Sequence, residues 1–243
     1  MAIEAYHPAP LVPLSIFRHR SLVAADAVAL LGSAAIIASP IFFLTLYLQQ
    51  ILGFSAIQAG LATLPLALSV FAGARLAPTL ISRVGPRRLL AGGLALAGVS
   101  LLLLARIHID GSYHVDVAGP IMLLGLGMGL SFVPLTAATA GVAPSDQGLA
   151  SGLLQTAQQL GVALGLAALT SLAADTTQSL LGQVGWPPDP AALQAALTAG
   201  YATGLHGAAL LALAAAVLTI LLIPSSRSTS VPSPIDPSKE ETS

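Results

Sequence analysis

"TLISRVGPRRLLAGG", residues 79–93, sets Arg83, Arg87 and Arg88 between two strongly apolar stretches. The chain of 243 residues holds only nine Lys and Arg, so a third of its fixed positive charge sits in one turn. What that cluster means depends on the solvent around it. Hydrophobic residues make up 55% of the chain and charged residues 8%, against roughly 25% charged in an average soluble domain. Too few polar side chains are present to coat a soluble fold of this length, so the expected solvent is lipid. The net charge of −1 leaves no broad basic face for phosphates, which argues against a nucleic-acid partner. The chain contains no cysteine, so disulfides, thiolate nucleophiles and Cys-ligated metals are excluded.

Six apolar runs are long enough to cross a bilayer, which takes about 20 residues at 1.5 Å rise each. They are placed at 21–48, 57–81, 89–107, 118–141, 147–173 and 201–223, here runs A to F. Helix is the expected state of each. An open sheet would leave backbone groups unpaired in lipid, and no run alternates as a barrel strand does. The fold class is therefore an all-α membrane protein, a six-transmembrane-helix bundle. Residues 1–20 carry no short apolar core with a cleavage site and are expected to be a cytoplasmic segment rather than a signal peptide. Residues 224–243, rich in Ser and Pro, are expected to form a disordered cytoplasmic tail.

Orientation follows from the distribution of Lys and Arg. With the N-terminus cytoplasmic, Arg18, Arg20, Arg83, Arg87, Arg88, Arg227 and Lys239 all fall inside and Arg106 alone falls outside. Both termini are thus expected in the cytoplasm of a multi-pass cell-membrane protein, with the opening arginines anchoring the B–C turn. Connections A–B, B–C and D–E are short, which predicts antiparallel neighbours. The E–F connection is longer, with a "GWPPDP" turn at 185–190 and a possible surface helix over 191–200. Pro40, Pro65, Pro78 and Pro134 fall within the runs and are expected to kink them. Small residues four apart, Gly125 and Gly129, Gly148 and Gly152, Gly161 and Gly165, predict close helix approach in runs D and E.

Few side chains could carry chemistry. Asp26 in run A and Arg75 in run B lie about 8 Å and about 10 Å from the cytoplasmic edge at helical rise. Run neighbours at one level would let them pair, giving a proton- or substrate-linked carboxylate; the plainer alternative is that both snorkel to the interface. Gln155, Gln158 and Gln159 share one side of run E and suit a cavity wall, although interhelical hydrogen bonding would occupy them equally well. Gln49 and Gln50, ending run A, are expected at the outer interface. His108, His114, Asp110 and Asp116 share the C–D loop around a flexible "GSY", which reads as a solvated connection rather than a metal site. Nothing in the sequence calls for a cofactor.

Three stretches and the opening loop resemble the C-terminal half of the fourteen-helix drug:proton antiporters of the major facilitator superfamily. They are "PLVPLSIFRHRSL" (10–22), "FFLTLYLQQILGFSAIQAGLATLP" (42–65) and "FVPLTAATAGVAPSDQGLASGLLQTAQQLGVALGLA" (132–167). The loop resembles the second-half copy of the signature G-x-L-a-D-R-x-G-R-R, matched at Leu80, Arg83, Gly85 and Arg87, with Arg88 one place beyond. It departs at Pro78, at Ser82 where the acid would stand, and at Pro86. The resemblance implies one six-helix half of a proton-coupled efflux permease for small amphipathic solutes. Its expected partners are the bilayer and a missing N-terminal half, or a second copy of itself. A truncated or split frame, or a non-transporting membrane scaffold, are the alternatives. More remotely, six spans with Ser131 in the fourth and His206 in the sixth resemble rhomboid intramembrane proteases. Depths of about 20 Å and about 8 Å below the outer edge separate that pair too far for a dyad.

Overall fold

The computed structural model describes residues 20–137, 147–184 and 187–223. Residues 1–19 and 224–243, and with them Arg18, Arg227 and Lys239, lie outside the described residues. Among the described residues eight α-helices follow in order: α1 (Arg20–Ile36), α2 (Ala38–Leu46), α3 (Ala56–Ala62), α4 (Leu64–Val84), α5 (Pro86–Leu104), α6 (Ala118–Ala137), α7 (Gln147–Leu181) and α8 (Pro190–Leu222). Short π-helical turns at Tyr47–Ile51 and Tyr113–Val117 extend α2 and precede α6. Together they form six units long and apolar enough to span a membrane: Val23–Ile51, Ala56–Val84, Pro86–Leu104, Tyr113–Ala137, Gln147–Leu181 and Pro190–Leu222.

Proline explains why eight helices make six spans. Pro40 has no N–H, so the Ile36 carbonyl four residues back loses its donor, and α1 ends there. The Ser39 hydroxyl repairs part of the break by donating to the Ala34 carbonyl at 3.1 Å. Pro65 acts in the same way between α3 and α4. There the Leu66 N–H turns to Thr63 at 3.1 Å, and the Ala62 carbonyl receives the Tyr113 hydroxyl at 2.7 Å. Pro78 and Pro134 stand inside unbroken α4 and α6.

Connectivity does not decide packing. The short A–B and D–E links predict neighbours, yet α1 has at most marginal contact with α4, and α6 with α7. Instead α4 packs on α6, α6 on α5, α5 on α8, and α1 on both α7 and α8. One face therefore runs α4, α6, α1, α7, backed by α5 and α8. The glycines set these pairings. A Cβ at Gly125 or Gly129 would strike α4 backbone at Leu66 or Val70. One at Gly127 would meet the Gly93 carbonyl of α5 at 2.7 Å, so α6 is small on two sides. Gly161 and Gly165 lie against Leu30 and Ala34 of α1. At Gly148 and Gly152, by contrast, a Cβ meets nothing within 4 Å, so the expected packing role is not filled within this bundle.

The E–F region also differs from expectation. α7 continues past 173 to Leu181, and the 191–200 stretch is no separate surface helix but the start of α8. With no glycine or proline between 174 and 181, nothing in the chain stops α7 earlier. The C–D connection is tied down rather than loose. Tyr47 donates to the His108 carbonyl at 2.8 Å, and the Asp116 carboxylate accepts the Ser112 N–H at 2.7 Å.

Candidate functional site

α1 and α6 stand side by side on the face of the bundle but touch only lightly, because each is held by other partners. Between them lies a cleft of about 270 Å³, with Val28, Gly32, Ser33 and Ile36 of α1 on one wall. Met128, Ser131, Phe132 and Leu135 of α6 form the other, and Leu90 and Leu94 of α5 close the floor. Val70 of α4 and Gln158 of α7 complete the rim. No charged side chain of the described residues lines it. A largely apolar cleft with a few polar groups is what a site for small amphipathic molecules requires.

The two serines at the cleft are already engaged. Ser131 donates to the Gly127 carbonyl of its own helix at 2.8 Å. Ser33 has the Ala29 carbonyl at 2.6 Å and, across to α7, the Gln158 carbonyl at 3.0 Å. The Gln158 side-chain amide is half-buried and makes no hydrogen bond to the described residues, so it remains able to donate and accept at the rim. Gln155 and Gln159, on the neighbouring strip of α7, are exposed.

The expected Asp26–Arg75 pairing does not form. Arg75 is exposed on α4, which packs on α6 rather than on α1. Asp26 Oδ1 is buried without a hydrogen-bond partner among the described residues, seven residues before Ser33 on α1, or about 10 Å at helical rise. Gln50 is also not a plain interface residue, for its amide oxygen accepts the Tyr201 hydroxyl at 2.7 Å. Ser131 and His206 do not meet: Ser131 is buried against α5, His206 is exposed on α8, and its ring nitrogen faces the Ala202 carbonyl at 2.8 Å.

At the other end of the same helices the arginine turn is very tight. A single residue, Gly85, joins α4 to α5 at φ 83° and ψ 156°, a backbone conformation open to glycine. Pro86 then starts α5, where its missing N–H costs nothing. Arg87 reaches across and donates to the Ile220 carbonyl in the last turn of α8, where helix carbonyls lack partners and a cation is favoured. Arg83 and Arg88 are exposed.

A family model described as Major Facilitator Superfamily matches residues 3–166 of the chain. The chain belongs to that superfamily. Its members are membrane transporters rather than enzymes, and the six-helix bundle is of the facilitator type. Cephamycin export protein CmcT of Amycolatopsis lactamdurans is 36% identical over 233 residues, 94% of this chain and 45% of the relative. Puromycin resistance protein pur8 of Streptomyces alboniger is 36% identical over 221 residues, 89% of this chain and 43% of the relative. The lincomycin resistance protein of Streptomyces lincolnensis is 39% identical over 173 residues, 71% and 36% of the two chains. This facilitator chain therefore spans less than half the length of these curated relatives.

Sequence reasoning missed most of the cleft. Of its lining only Gln158 and Ser131 stood out beforehand, and Ser131 for another reason. Ser33, Val28, Met128 and Phe132 are ordinary residues of membrane helices. The one available signal was the small-residue run Gly32–Ser33–Ala34–Ala35 in run A, which marks a helix that neighbours approach closely.

Proposed function

We propose that this facilitator bundle is one half of an efflux permease that exports small amphipathic solutes, antibiotics among them, at the expense of a proton gradient. The observation that carries the reading is the cleft between α1 and α6, lined by no charged side chain of the described residues and opening on the bundle face made by α4, α6, α1 and α7. Similarity to proteins named for cephamycin export and for puromycin and lincomycin resistance supports that substrate class. A second six-helix bundle, either a separate N-terminal half or another copy, covers that face, and the two rock about the cleft to alternate access. The exposed strip of Gly148, Gly152, Gln155 and Gln159 on α7 belongs to this covered face, where small residues permit close approach. The arginine turn lies in the cytoplasm with both termini, as the bias of basic residues requires.

Asp26 carries the proton and Gln158 the polar contact to substrate. Arg75, away from Asp26, tunes the field at the open face. The deciding experiment reconstitutes the chain with a candidate partner bundle in vesicles and follows export of a fluorescent amphipathic dye under an imposed pH gradient. Filling the cleft with Ile37→Trp, from an exposed position on its lining, should stop export without lowering the amount of folded protein. Undiminished export by that variant would remove the cleft from the transport path.

A further inference from the structure

A second and larger cavity lies away from the cleft, at the arginine end of the bundle. It is a groove of about 820 Å³ between the α4–α5 turn and the last turns of α8. Arg87 and Arg88 stand at its mouth. Along its length the lining is apolar: Gly92 and Ala95 continue from Arg88 on α5 at helical spacing, facing Leu213, Val217 and Ile220 of α8. The groove thus changes from cationic to apolar over about 10 Å, two turns of helix. No carboxylate of the described residues lines it.

We propose that this groove binds one anionic phospholipid, its phosphate held by Arg87 and Arg88 and an acyl chain laid between α5 and α8. Charge selects the headgroup. Arg87 spends one of its five N–H donors on the Ile220 carbonyl and keeps the rest, while Arg88 is exposed and forms no ion pair with the described residues. The two lie where a basic turn meets the interface, and a juxtamembrane arginine there attracts anionic lipid. Shape selects a lipid over a soluble anion, because a phosphate alone would leave the apolar length of the groove unfilled. Val217, Ile220 and Leu221 on the α8 side are exposed, so the groove opens sideways toward the bilayer, which supplies the ligand. The lipid would tie the α4–α5 turn to the end of α8, adding to the one hydrogen bond from Arg87.

Gly92 makes the proposal testable, because a Cβ there meets nothing within 4 Å. Gly92→Leu therefore fills the groove without striking backbone, and Arg88→Gln removes charge from an exposed position. The full chain, purified in detergent, is titrated with phosphatidylglycerol or phosphatidylcholine of the same acyl chains and read by native mass spectrometry. Expected is one phosphatidylglycerol retained about tenfold more tightly than phosphatidylcholine, and a loss of about tenfold in each variant. Unchanged melting temperatures would assign those losses to the groove. Equal retention of the two lipids, or full retention in both variants, would overturn the proposal. So would competition by glycerol phosphate as effective as that of whole lipid, which would mark a simple anion site. Phosphatidylglycerol binding that arises only after deletion of residues 224–243 would give the groove to the chain's own terminal segment instead.

Discussion

Ser33 Oγ of α1 lies 3.0 Å from the Gln158 carbonyl oxygen of α7, a contact between residues 125 apart in sequence. It is the polar stitch in a helix pair otherwise joined by small residues, and it fixes the height of Gln158 against the cleft. The hydroxyl also has its own helix's Ala29 carbonyl at 2.6 Å. Ser33→Ala therefore removes only a shared interhelical bond, worth about 0.5–1.5 kcal/mol in folded proteins and averaging near 0.6 within membranes. The expected outcome is a fall in detergent melting temperature of a few degrees with an unaltered helical circular-dichroism spectrum.

Gly161 and Gly152, one from each glycine pair of α7, should differ in their response to the same change. Gly161 meets the Leu30 carbonyl and the Ser33 hydroxyl so closely that an added methyl must push α1 away. Gly161→Ala should cost about 1–3 kcal/mol, as overpacking does. Gly152→Ala enters open space in this bundle and should stay within about 0.5 kcal/mol. Chemical unfolding of the two variants in one detergent checks the contrast. If Gly152 faces a second bundle, Gly152→Ala should lower association with that bundle while leaving the isolated chain's stability alone.

The sequence made the spans legible because crossing lipid demands a length and an apolarity that few other segments have. Run C illustrates this, for Arg88 and Arg106 bracket an uncharged stretch and α5 covers most of it. Pairing was much less legible. Short loops say which helices follow each other, but in lipid apolar side chains gain nothing by choosing one neighbour over another. Close approach decides instead, and Gly125, Gly127 and Gly129 send α6 to α4 and α5 whatever its connections. For that reason Asp26 and Arg75, which a loop argument brings together, stand on helices that do not pack. The cleft was least legible, since it arises from what α1 and α6 fail to fill. Gln158 alone carried a polar signal.

Gly85 should tolerate no side chain. Its φ of 83° with ψ 156° falls where an L-residue is strained, although space around it is open. Substitution must then either hold that strain, about 1–3 kcal/mol, or reset the turn and move Arg87 off the Ile220 carbonyl. Gly85→Ala is expected to lower the melting temperature more than Arg87→Ala, which loses the hydrogen bond but keeps the turn. A smaller effect of Gly85→Ala than of Arg87→Ala would show that the turn relaxes without cost.

Asp26 is the proposed proton carrier because one of its oxygens is buried with no donor to satisfy it among the described residues. A carboxyl group can take up and release a proton, and a neutral amide of the same shape cannot. Asp26→Asn should leave expression, helical content and dye binding near the parent values. In vesicles holding the assembled transporter it should abolish export driven by a pH gradient. Exchange of dye down its own gradient should persist, since that needs the cleft but not the proton. Loss of both activities would make Asp26 a structural residue of α1, and retention of pH-driven export would make it a boundary residue that reaches the interface. Gln158→Ala supplies the complementary arm. It should weaken dye binding in gradient-driven and exchange assays alike, because the amide meets the solute rather than the proton.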